Sequence, residues 1–183
     1  MNRQRLLTMI EIAIMAGIGV LFSTYITIRG LWPQGGSVSL AMVPIVILSF
    51  RRGWVAGVIC GLLVGMLNFV LAATPPVHPV QVVLDYPLAF ALLGTAGWIR
   101  LQPGEKGTFW KVAAGVTLAG LLRFLAHFIS GVVWFGSFAP KGMSVWVYSF
   151  LYNISYILPD ILVSTAVMAL LIRNAPQLIR VNQ

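Results

Sequence analysis

The stretch Gly53-Trp-Val-Ala-Gly-Val-Ile-Cys-Gly-Leu-Leu-Val-Gly-Met-Leu-Asn-Phe-Val-Leu-Ala-Ala73 carries no charge, and Asn68 is its one amide. Crossing a hydrocarbon core takes about 20 helical residues, and lipid offers the backbone no hydrogen-bond partners. The stretch therefore reads as a transmembrane helix. Gly57, Gly61 and Gly65 recur every four residues, a smooth face for close approach of another helix. The same chemistry extends along the chain, whose 183 residues are 59% hydrophobic and 9% charged. A soluble domain carries about 25% charged residues, so an ordinary water-soluble enzyme and a disordered basic tail are both excluded. The net charge of +8 comes from twelve scattered Lys and Arg, which form no stripe suited to nucleic acid. Cys60, the single cysteine, lies within the apolar run and builds neither a disulfide framework nor a metal cluster.

Working outward, six apolar stretches emerge: 5–28, 38–50, 53–73, 80–100, 109–136 and 145–173. They predict an all-α integral membrane protein, one domain over 1–183 folded as a compact six-transmembrane-helix bundle. The second stretch is short and contains Pro44. It is a tilted or broken span, or it continues into the preceding loop. The first stretch is too long for a cleavable signal peptide and lacks a small-residue cleavage pattern. Arg3, Arg5, Arg51, Arg52, Arg100, Lys106, Lys111, Arg173 and Arg180 fall on one side of this arrangement, against Arg29 and Lys141 on the other. The positive-inside bias then puts both termini in the cytoplasm and turns loops 29–37, 74–79 and 137–144 outward.

Polar groups inside lipid need a partner or a purpose. Asp85, Tyr86, His127, Tyr148, Tyr152 and Asn153 all fall in the outer part of their spans, near Trp32 and Gln34 of the first outward loop and Trp134 and Phe135 at the end of the fifth span. Together they predict one outward-facing cavity. A carboxylate among aromatic rings suits a flat, cationic, nitrogen-rich heterocycle, through charge pairing and cation–π attraction. Taken singly, the tryptophans and tyrosines also fit an aromatic belt at the headgroups, and Asn153 fits a helix–helix hydrogen bond. Arg123 and Asp160 reach similar depths near the inner half and are expected to pair, as a structural brace or as a proton relay. Glu11 reads as a snorkelling or capping charge. Ala13 and Gly17 repeat the four-residue small spacing on the first span, flanked by Ala16 and Gly19. His78 and His127 lie on different elements, and no nucleophile, metal or phosphate-loop pattern is present. This favours binding or transport over catalysis, without a cofactor or a metal.

Several stretches in order resemble a known family. They are Leu40-Ala-Met-Val-Pro-Ile, Phe50-Arg-Arg-Gly, Gly61-Leu-Leu-Val-Gly-Met-Leu-Asn68, Leu84-Asp-Tyr-Pro-Leu-Ala-Phe90 and Arg123-Phe-Leu-Ala-His-Phe-Ile-Ser-Gly131, with Tyr148 and the Tyr152-Asn153 pair. The chain is similar to the thiamine-specific substrate-binding components of energy-coupling factor transporters. That resemblance implies a cell-membrane subunit that captures thiamine from outside, while a membrane coupling protein and two cytoplasmic ATPases supply the drive. It implies that Ala13 and Gly17 contact the coupling protein. It also implies that Asp85 stands where the family has a glutamate engaging the aminopyrimidine, followed by Tyr86. His127 and Asn153 match further polar contacts, Tyr148 an aromatic wall and Trp32 a ring-packing position. Two departures bear on fine specificity: Asp85 is one methylene shorter, and Phe135, beside Trp134, stands where the family stacks a tryptophan on the thiazolium. A stand-alone proton-coupled carrier of thiamine or a related compound is the other reading.

Overall fold

Met42-Val-Pro-Ile-Val-Ile-Leu-Ser-Phe50 is apolar on every side but for one serine, and a helix of that kind belongs in an interior. The computed structural model, which describes residues 2–71, 75–101 and 107–179, puts this segment at the centre of the molecule. Helix α2, Met42–Arg52, has every residue from Met42 to Phe50 buried. Its 11 residues are about 16 Å long at 1.5 Å per residue, so the expected second span is a short central helix. Pro44 sits in the first turn, where a missing N–H breaks no intrahelical bond.

Around α2 stand α1 (Arg3–Tyr25), α3 (Trp54–Leu71), α4 (Pro79–Trp98), α5 (Thr108–Trp134) and α6 (Val145–Asn174). These are the five helices, among the described residues, long and apolar enough to cross a membrane. The expected first span ends early, because β1 (Thr27–Ile28) pairs antiparallel with β2 (Val38–Ser39). Loop 29–37 is thus the tip of a two-stranded ribbon. Lys106, Arg180 and the expected loop residue Thr74 lie outside the described residues.

Helix α4 is not uniform. Leu84–Leu88 widens to a π-helical turn containing Pro87, and Leu92–Trp98 tightens to a 3-10 helix. Proline removes a backbone donor, and a π turn is a common accommodation, frequently found at functional sites. The glycine face of α3 packs against this irregular helix. A Cβ on Gly57 would fall 2.9 Å from Gly94 Cα, one on Gly61 2.7 Å from the Phe90 carbonyl carbon, and one on Gly65 2.7 Å from that of Tyr86. Backbone rests on backbone there, which sets how far the Asp85–Tyr86 turn stands from α3.

In the N-terminal half of α1, Glu11, expected as a snorkelling or capping charge, is held in an ion-pair cluster. Its carboxylate takes hydrogen bonds from Arg51 Nε at 3.0 Å and Arg52 Nη2 at 2.7 Å. Arg51 also donates to the Gln177 carbonyl at 3.0 Å. This cluster ties α1, the tight α2–α3 turn at Gly53 (φ +89°) and the C-terminal segment together. Helix α1 packs inward through Ile12, Ala16, Gly19 and Ser23, whereas Ala13 and Gly17 lie on its exposed side and nothing approaches Gly17 within 4 Å of a Cβ.

Overpacking a dense interface costs about 1–3 kcal/mol. Gly61→Ala is therefore expected to lower the unfolding temperature in detergent, while Gly17→Ala leaves it unchanged or raises it.

Candidate ligand cavity

A cavity of about 450 Å³ opens where the ribbon tip, the start of α4 and the adjoining ends of α5 and α6 meet. Small-molecule sites commonly measure about 300–1,000 Å³. Its walls mix rings, from Trp32, Tyr86, Phe90, Phe135, Tyr148, Tyr152 and Tyr156, with the polar side chains of Asn68, Gln81, Asp85, His127, Ser130 and Asn153.

Asp85 projects from the π turn into a ring of neighbours. Its Oδ1 lies 3.1 Å from His127 Nδ1, and its Oδ2 accepts from Gln81 Nε2 at 2.6 Å and Ser130 Oγ at 2.9 Å. Gln81 reaches it from one turn earlier on α4, and Ser130 lies one turn after His127 on α5, the spacings at which helical side chains share a face. His127 Nε2 is buried with no hydrogen-bond partner among the described residues. Tyr86 packs edge-on against Phe69 of α3, with ring centroids 5.4 Å apart.

Deeper in, Arg123 Nη1 donates to Asp160 Oδ2 at 2.5 Å, and the side chains are 6% and 0% exposed. Asp160 Oδ1 accepts the Ser39 N–H at 2.9 Å, and the guanidinium lies 4.9 Å from the Phe90 ring centroid. The pair expected from depth does form. It is not remote from the site, because Arg123 lines the cavity and Asp160 anchors the foot of the ribbon.

The ribbon tip is tied to α6. Trp32 Nε1 donates to Ser155 Oγ at 2.7 Å, the Gln34 N–H donates to Tyr152 Oη at 3.0 Å, and the Tyr148 hydroxyl donates to Gln34 Oε1 at 3.4 Å. Tyr156 in turn donates to Asn153 Oδ1 at 2.6 Å, and Asn153 Nδ2 donates to the Ser149 carbonyl at 2.8 Å. Arg29 donates to the Ser23 carbonyl.

Seven of the eight residues singled out as ligand contacts, Trp32, Asp85, Tyr86, His127, Phe135, Tyr148 and Asn153, line this one cavity. Trp134 does not. It stacks on His78 with ring centroids 5.3 Å apart and planes at 20°, outside the lining, so Phe135 forms that part of the wall. Gln81, Ser130, Tyr156 and Asn68 escaped the sequence reading. The first two were legible in principle as the one-turn neighbours of Asp85 and His127, whereas the latter two become wall residues through the fold.

The family model described as Thiamine transporter protein matches residues 9–180. The chain belongs to the thiamine transporter family. Within it, the chain is 41% identical to the thiamine transporter ThiT of Bacillus subtilis, covering 98% of each chain. It is 32% identical to that of Lacticaseibacillus paracasei, covering 97% of this chain and 92% of that one. Among solved structures, ThiT from Listeria monocytogenes superposes with a TM-score of 0.84 at 25% identity, over 97% of this chain and 99% of that one. The S component of a bacterial ECF transporter shares the fold, with a TM-score of 0.68 at 22% identity, over 96% and 99%. This member of the family is a multi-pass cell-membrane protein.

Breaking a buried ion pair by removing one partner costs about 3–5 kcal/mol. Asp160→Asn, which leaves the Arg123 guanidinium uncompensated and the Ser39 contact weakened, is expected to destabilise the protein by that order in thermal unfolding.

Proposed function

We propose that this chain captures thiamine from outside the cell in the 450 Å³ cavity and serves as the substrate-binding subunit of an ATP-driven energy-coupling factor transporter. The observation that carries the reading is the meeting of Asp85 and His127 with Tyr86, Phe135 and Tyr148 around one cavity, in a chain that belongs to the thiamine transporter family. Thiamine joins an aminopyrimidine, rich in hydrogen-bonding groups, to a cationic thiazolium. Asp85 and His127 receive the polar ring, with Asn153 nearby. The aromatic rings of Trp32, Tyr86, Phe135 and Tyr148 cover the apolar faces and attract the cation. The short reach of Asp85 is accommodated by the π turn that carries it, and the ribbon tip 29–37 closes over the ligand.

The chain crosses the membrane as one six-helix domain, with α2 short and central and both termini in the cytoplasm. The Glu11–Arg51–Arg52 cluster supports this orientation, because it gathers cations at the end of α1 away from the ribbon. Ala13 and Gly17, on the exposed side of α1, supply the docking face for a membrane coupling protein, and two cytoplasmic ATPases provide the energy for release. A cysteine introduced at Ser37, reacting with a membrane-impermeant maleimide on intact cells, tests the orientation; Cys60 is fully buried.

The direct test is titration of purified protein with thiamine, followed by tryptophan fluorescence. Saturable binding below micromolar concentration is expected, and no response at micromolar thiamine overturns the reading. Hydrogen bonds to charged groups contribute about 1.5–3 kcal/mol, so Asp85→Ala and His127→Ala should each weaken binding about 10- to 100-fold, while Lys141→Ala changes little. Tryptophan is the stronger cation–π surface, and Phe135→Trp should tighten thiamine binding. Uptake into liposomes by this chain under a proton gradient alone would point instead to a stand-alone carrier.

A further inference from the structure

The cavity carboxylate is gripped by more donors than a ligand contact needs. Gln81 and Ser130 both donate to the same oxygen, Asp85 Oδ2, at 2.6 Å and 2.9 Å. They are only 6% and 1% exposed, so each is held by packing. The amide of Gln81 is oriented at its other end as well, because Oε1 accepts the Val77 N–H at 3.2 Å. An amide oxygen cannot donate to a carboxylate, so the network admits only this arrangement.

A carboxylate offers about four lone-pair sites. Two on Oδ2 are taken by Gln81 and Ser130, and one on Oδ1 is directed to His127 Nδ1. The remaining site is on Oδ1. His127, donating from Nδ1, presents a lone pair at Nε2 when neutral, and that atom is buried without a partner among the described residues. Both acceptors left open belong to cavity-lining residues. A ligand that satisfies them must bring N–H or O–H donors.

We infer that Gln81 and Ser130 are positioning residues for ligand selection: by locking Asp85 Oδ2 they turn Oδ1 toward the exocyclic amine of the ligand's pyrimidine. The inference rests on the thiamine reading and deepens it. A free aspartate rotates about its terminal torsion, whose wells are broad. Two donors on one oxygen, from α4 and α5, remove that freedom before the ligand arrives. Recognition of the amine then depends on residues that act through Asp85.

The test compares thiamine with the analogue in which oxygen replaces the exocyclic amine, for wild type, Gln81→Met and Ser130→Ala. Binding is read by fluorescence, and the unfolding temperature is recorded for each variant. Each substitution is expected to weaken thiamine about tenfold, as for loss of a hydrogen bond to a charged group, and to leave the analogue within twofold. In an Asp85→Ala background, either substitution should have no further effect on thiamine, because coupled residues are not additive. Equal losses for both ligands, or losses that add to that of Asp85→Ala, overturn the positioning role while wild type still binds thiamine. Wild-type protein that binds neither ligand overturns the thiamine reading, and this inference with it.

Discussion

A charge buried at low dielectric must be compensated where it stands, and this constraint organises the molecule. Three of the chain's four acids lie among the described residues, and each is answered differently. Glu11 is held by two arginines. Asp160 is held by Arg123 and a backbone N–H. Asp85 has an imidazole, an amide and a hydroxyl. The first two close their charge with a permanent cation and so join helices. The third meets weaker, partly neutral donors, and it faces a cavity. That difference in compensation separates the cavity-lining carboxylate from the helix-joining ones.

The second constraint is distance between helices. Lipid provides no hydrophobic force between apolar faces, so association relies on packing and hydrogen bonds. The glycines of α3 let the backbone of α4 rest against it, and the segment they support carries Asp85 and Tyr86. The geometry of the site is thus specified partly by residues that have no side chain to offer.

Much of this was legible in the sequence. Hydropathy located the five long helices, because burial in lipid demands uninterrupted apolar runs. Depth counting brought Asp85, Tyr86, His127, Tyr148 and Asn153 to one end, because helical rise is regular. It failed at residues where regularity fails. Pro44 left the second span ambiguous, and only packing on every side shows α2 to be a buried, short helix. The π turn at Leu84–Leu88 and the ribbon at 27–39 have no hydropathy signature. Trp134 closes α5 and stacks on His78, whereas Phe135, the first residue beyond the helix, turns into the cavity wall, a parting that a count of helical depth does not register. The partners of Glu11, Arg51 and Arg52, lie some forty residues away along the chain, so no local pattern reveals the cluster.

The ribbon over the cavity is ordered at both ends before anything enters. Its foot is pinned to the floor through the Ser39 N–H on Asp160, and its tip is moored to α6 through Trp32 and Gln34. A loop fastened at both places has little conformational entropy left to lose when something settles beneath it. The wall that the ribbon lends to the cavity is thus set by hydrogen bonds of the chain itself.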